Sequence, residues 1–150
     1  MWKRFNRALD SLMFVLLAAI VIILLSQVAF RYVLNNPLVG SEDAAKLATM
    51  WMVFLGAGLA VRDRLHIQID YFIEKFPPRI QRAIDAVMAT TVLAFIGIVL
   101  YQCIDLFDMQ YGMKSVGLNI DVTYFSAALP AGFALMAVYM IRQMLGKRDV

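Results

Sequence analysis

Residues 11–30 read SLMFVLLAAIVIILLSQVAF, twenty consecutive positions without a charge. Thirteen of them are Leu, Ile, Val or Phe, each favouring insertion by roughly 0.3–0.6 kcal/mol, so the run contributes about 4–8 kcal/mol toward entering a bilayer. At about 1.5 Å of rise per residue, a helix of this length crosses a hydrocarbon core of about 30 Å. The run is longer than the 7–15 apolar residues usual in a signal sequence, and no small-x-small cleavage pattern precedes FRYVLNNP. A retained membrane-spanning helix is therefore expected.

Three more charge-free stretches follow, at 47–61, 86–104 and 122–141. The second is short, but Lys46 can snorkel and extend it back to Ala44. The whole chain has the same character: 62% of its 150 residues are apolar and 17% charged, against roughly half and a quarter in soluble domains. The expected fold is all-α, a single four-helix membrane domain over 1–150 with spans at about 11–31, 43–62, 84–106 and 122–142.

Orientation follows from the cations. Lys3, Arg4 and Arg7 precede helix 1; Arg62, Arg64, Lys75, Arg79 and Arg82 lie between helices 2 and 3; Arg142, Lys147 and Arg148 follow helix 4. Only Arg31, Lys46 and Lys114 lie on the other side, so the positive-inside rule places both termini and the middle loop in the cytoplasm. Because the basic residues are split among three membrane-flanking segments, the net charge of +3 reflects topology, and no nucleic-acid partner is expected. Cys103 has no second cysteine to pair with and is read as a small apolar filler.

Local signals divide the chain further. Asn35-Asn36-Pro37 marks a turn after helix 1, Ser41 is the expected N-cap of helix 2, and Glu42 and Asp43 suit its positive end. In the middle loop, Leu65, Ile69, Phe72 and Phe76 recur at helical spacing between charges, which predicts a short interfacial helix. Pro78 fits the first position of helix 3, and Pro130 is expected to kink helix 4.

Ala44, Ala48, Gly56 and Ala60 fall near one face of helix 2, and helix 4 carries Ala127, Ala128, Ala131, Gly132 and Ala137. Helices in lipid associate largely through close backbone approach at small residues. Either these faces pack helices 2 and 4 together, or one of them faces a second protein. Mid-depth ionisable residues, the usual mark of an ion or substrate path, are absent from all four stretches. Gln27, Thr49, Thr90 and Thr91 are the strongest polar groups there, and each can satisfy itself locally.

His66 is the only histidine and no nucleophile, base and orienting group converge, so no enzyme, cofactor or metal site is expected. Arg31 and Glu42 flank one outer loop, either as an ion pair or as two solvated charges. Arg62, His66 and Asp70, spaced by four, either hold the inner loop or meet lipid headgroups. Tyr32, Tyr124 and Tyr139 read as interfacial belt residues, and the methionines, Met50 and Met52 included, as adaptable packing.

Several of these residues, in this order, resemble the small membrane subunit, DctQ-like, of tripartite ATP-independent periplasmic (TRAP) transporters. They are Arg31-Tyr32, the acidic pair Glu42-Asp43, Trp51, Phe54-Leu55-Gly56-Ala57, Arg62, His66-Ile67, Asp70 and Leu129-Pro130-Ala131-Gly132. The likeness covers nearly the whole chain. It departs at Gly40-Ser41, where the family usually has a tryptophan ahead of its acidic residues.

The resemblance implies a scaffold subunit in the bacterial inner membrane. Its partners would be a large multi-span subunit carrying substrate and sodium sites, a periplasmic binding protein that captures organic acids such as dicarboxylates or sialic acids, and membrane lipids. Two other classes fit four short spans: a small exporter acting as a homo-oligomer, and the membrane anchor of a redox complex.

Overall fold

The structure, a computed structural model, describes residues 2–36, 38–63 and 77–144. Its helices are α1 (Trp2–Tyr32), α2 (Ser41–Arg62), α3 (Pro78–Gln110), the single turn α4 (Thr123–Ser126) and α5 (Ala128–Met144). Four segments are long and apolar enough to cross a membrane: Trp2–Tyr32, Ser41–Arg62, Ala86–Gln110 and Thr123–Gln143, the last made of α4 and α5 together. The chain is thus an all-helical membrane protein. The interfacial helix expected near Leu65 to Phe76 lies outside the described residues, as do His66 and Asp70.

The helix ends follow local chemistry. After Tyr32 the chain turns through Asn35 in the left-handed region, at φ 49°, a conformation that asparagine tolerates well. Pro78 occupies the first turn of α3 behind Pro77, where its missing N–H costs nothing. Ser41, in contrast, is not the N-cap of α2. Gly40 caps it at φ 86°, and the Ser41 hydroxyl instead donates to the Leu38 carbonyl at 2.9 Å. A left-handed cap brings the chain against the backbone of Gly117, a conformation open to glycine at low cost.

Helix 4 breaks at Ala127, three residues before Pro130, and not at the proline itself as expected. Pro130 has no N–H for the Ser126 carbonyl and its ring crowds that group, so the discontinuity falls on the preceding turn. The chain stays nearly helical across it, with Ala127 N–H donating to Thr123 and Ala131 N–H to Ala127 at 2.9 and 3.3 Å.

The packing order is α1, α2, α5, α3: α2 and α5 form the centre, α1 lies against α2 and α3 against α5. Small residues set the central spacing. A Cβ on Gly132 would lie 2.5 Å from the Phe54 carbonyl oxygen, and one on Gly58 would lie 2.8 Å from Leu135. Ala128, at the start of α5, is fully buried at 0% exposure. Around it Phe133 meets Phe54 of α2 and Phe95 of α3 with ring centroids 6.3 and 6.2 Å apart.

Helices 2 and 4 do therefore pack on each other, but Gly56 is not at their contact. Its α-carbon faces Met13 of α1, whose sulfur would lie 3.9 Å from an added Cβ. Ala48 and Ala60 are half-buried on α2, and Cys103 is buried on α3. No residue of α1 is buried among the described residues, and Phe14 and Leu25 are 74% and 66% exposed. Helix 1 therefore presents an apolar surface to whatever surrounds the bundle.

Candidate partner interface

Among the described residues, two polar ends and the bare flanks of α1 and α3 are open to other molecules. At one end, Asp43 on the first turn of α2 reaches across to the connection between α3 and α4. Its carboxylate accepts hydrogen bonds from the Ser115 hydroxyl and from the Gly117 N–H, the latter at 2.8 Å. The close approach depends on two glycines in contact: a Cβ on Gly117 would lie 2.7 Å from the Gly40 α-carbon. The connection is itself compact, with Ser115 N–H donating to Ile120 at 2.8 Å and Val122 N–H to Met113 at 3.0 Å.

Neighbouring contacts extend this clasp. Lys46 sits 3.8 Å from Asp43, and the Trp51 indole N–H donates to the Tyr124 carbonyl at 3.1 Å beside the helix break. The Ser126 hydroxyl donates to Gln110. Arg31 and Glu42 form no ion pair among the described residues. Glu42 instead accepts a long hydrogen bond of 3.4 Å from Gln27, and the Arg31 guanidinium lies over the Tyr32 ring at 5.9 Å. Gln27 thus looks across to α2 instead of satisfying itself locally, whereas Thr49, Thr90 and Thr91 do bond back to carbonyls of their own helices. An open cleft of about 660 Å³ remains among Gln27, Arg31, Glu42, Lys46, Met50 and Phe125.

The opposite end holds the start of α1 and the last turns of α2 and α5. Arg62 closes α2 by pairing with Asp10 of α1 at 2.8 Å and with Asp63 at 2.7 Å. Arg62, by its hydrogen bonds, holds the Asp63 carboxyl below the usual carboxylate range. That contribution is present above the ordinary carboxylate pKa and is lost as pH falls through the lowered value. Gln143 donates to the Val61 carbonyl at 2.6 Å. Arg142 lies 3.7 Å over the ring of Trp2, whose edge meets Tyr139 at 5.6 Å. Lys46, Lys114 and Arg31 lie at the clasp end, while Arg62, Arg142 and the start of α1 share this one.

Tyr139 is not a belt residue. It is 2% exposed and donates its hydroxyl to Asn6 at 2.8 Å, fastening the first turns of α1 to the last turns of α5. Tyr32 and Tyr124, at 73% and 60%, are exposed as expected. Tyr139→Phe should lower stability in detergent by about 1 kcal/mol, the usual worth of one internal hydrogen bond. Tyr124→Phe should leave it unchanged, and equal denaturation midpoints for the two variants would contradict this role of Tyr139.

Sequence reasoning singled out Asp43, Arg62 and Gly132, and the structure gives each a partner. It missed Gly58, Gly117, Ser115, Asp10 and Asn6. Gly58 had a signal in the Gly56-Ala57-Gly58 run, where only the helical phase separates the face toward α5 from the face toward α1. Ser115 and Gly117 had none, because their partner Asp43 is more than seventy residues away. No charged side chain is buried among the described residues.

The chain matches, over residues 20–149, the family model described as tripartite ATP-independent periplasmic transporters, DctQ component. It is 26% identical over 132 residues to the sialic acid TRAP transporter small permease protein SiaQ of Vibrio cholerae, covering 88% of this chain and 74% of that one. It is 30% identical to the sialic acid TRAP transporter permease protein SiaT of Haemophilus influenzae, and 28% identical to the isethionate TRAP transporter permease protein DctMQ of Oleidesulfovibrio alaskensis. These matches take in 93% and 86% of this chain but only 23% and 22% of theirs, so the chain spans less than a quarter of either longer relative. With four apolar helices in the structure and the family match running from the middle of the first to the C-terminal end, this chain belongs to the DctQ component family of TRAP transporters.

Proposed function

We propose that this chain is a static membrane subunit that holds a larger transport subunit in place during sodium-coupled uptake of an organic acid delivered by a periplasmic binding protein. One observation carries the reading. In SiaT and DctMQ the stretch similar to this chain makes up less than a quarter of one continuous permease. A segment fused to a larger permease in some relatives works beside such a permease when it is a separate chain. The bundle suits a supporting role. Its centre is closed by glycine contacts and its ends are tied by Asp43 and Arg62, while α1 and α3 leave apolar flanks uncovered.

In this reading the bundle is a single domain of the inner membrane with both termini and the middle loop in the cytoplasm. Arg31, Glu42 and Asp43 lie on the periplasmic end. Arg62 lies toward the cytoplasm, the side to which the charge pattern also assigns His66 and Asp70, and Gly132 sets the helix spacing that positions the outer flanks, with Ala48, Gly56, Ala60 and Pro130 on the same two membrane segments. Proteoliposomes holding both membrane subunits, supplied with the binding protein and an inward sodium gradient, should accumulate the solute. Omitting this chain should abolish accumulation. Uptake by this chain alone would overturn the scaffold role.

A further inference from the structure

The cleft at the clasp end is lined by both charged and apolar side chains. Arg31 and Gln27 are one turn apart on α1, and Glu42, Lys46 and Met50 are successive turns of α2, so charge occupies the lip. Leu38, Met50, Val122 and Phe125 form an apolar wall. The charge-free run of α1 ends at Phe30, which sets Arg31 at the depth of lipid headgroups.

Two groups at the lip have unused capacity. Arg31 stacks on Tyr32 but has no carboxylate within ion-pair distance among the described residues. One Glu42 oxygen accepts from Gln27, leaving the other open. A cation beside a carboxylate, above an apolar wall, complements a zwitterionic amphiphile. The volume, about 660 Å³, far exceeds that of a free inorganic anion and suits a headgroup with the first part of an acyl chain.

We propose that this cleft binds one phospholipid of the adjoining leaflet. Its phosphodiester oxyanion lies on the Arg31 guanidinium, its headgroup ammonium against Glu42, and an acyl chain along Met50 and Phe125. Arginine suits the role because its planar fork can give two charge-assisted hydrogen bonds to one phosphate.

The test is native mass spectrometry of the full chain in mild detergent, titrated with phosphatidylethanolamine, phosphatidylglycerol or inorganic phosphate alone. One phosphatidylethanolamine should be retained per chain. Arg31→Gln should bind it about tenfold more weakly, the equivalent of one charge-assisted hydrogen bond. Met50→Trp, which fills the wall without changing charge, should also lose it. Glu42→Gln should weaken phosphatidylethanolamine but not phosphatidylglycerol, and Arg4→Gln at the opposite end should change neither. Unchanged retention in both Arg31→Gln and Met50→Trp would overturn the proposal. So would displacement of the lipid by inorganic phosphate, which would mark a plain anion site, or its loss when the large subunit is present, which would mark a seat for protein side chains.

Discussion

Replacing Gly132 with leucine is expected to force α2 and α5 apart and to destabilise the bundle by about 3 kcal/mol, the upper part of the range for overpacking a tight core. An added Cβ alone would stand 2.5 Å from the Phe54 carbonyl oxygen and 2.7 Å from the Phe54 carbonyl carbon. These are backbone atoms of a central helix and cannot rotate away. Gly58→Ala makes a contrasting case. Its Cβ would meet Leu135 Cδ2 and Cγ at 2.8 and 2.9 Å, which a rotamer change can move, and Leu135 Cβ at 3.1 Å, which needs only a small shift of the helix, so a loss of about 1 kcal/mol is expected. Denaturant titration in detergent micelles, followed by tryptophan fluorescence, would rank the two. A Gly132→Leu protein as stable as the parent would show that α2 and α5 do not approach in this way.

Asp43→Ala is expected to cost about 2 kcal/mol, because it removes one acceptor from two donors, the Ser115 hydroxyl and the Gly117 N–H, that are part-buried at the clasp. Its signature is local. Amide exchange across 115–122 should accelerate while that of α2 below Thr49 changes little, since the loop loses its tether and the helix keeps its packing. A double-mutant cycle with Ser115→Ala should give less than the sum of the single losses, the mark of a shared contact. Additive effects would mean that the two residues act separately. Asp43→Asn, which retains a carbonyl acceptor, should fall between Asp43→Ala and the parent.

Not all of this architecture was equally visible in the amino-acid order. The membrane class and number of helices are legible because the relevant forces act within one segment: twenty charge-free residues suffice for a span whatever their neighbours do. Pro78 at the start of α3 and the turn at Asn35 are local for the same reason. Thr49, Thr90 and Thr91 could be assigned to their own helices because an i−4 carbonyl is always within reach. Tyr139 was misread for the converse reason. A tyrosine near a helix end has the same local pattern whether it faces headgroups or Asn6 of another helix.

The sequence by itself determined that this protein is an all-helical bundle of the bilayer and the family to which it belongs. Only the tertiary structure decided that Gly58 and Gly132 meet across the centre while Gly56 turns to α1. It alone tied Asp43 to Ser115 and Gly117, and Arg62 to Asp10. The division has a physical cause. Partition into lipid depends on the composition of each helix taken separately, whereas helix spacing and cross-chain hydrogen bonds depend on rotational phase, which every small-residue stripe leaves open until a second helix lies against it.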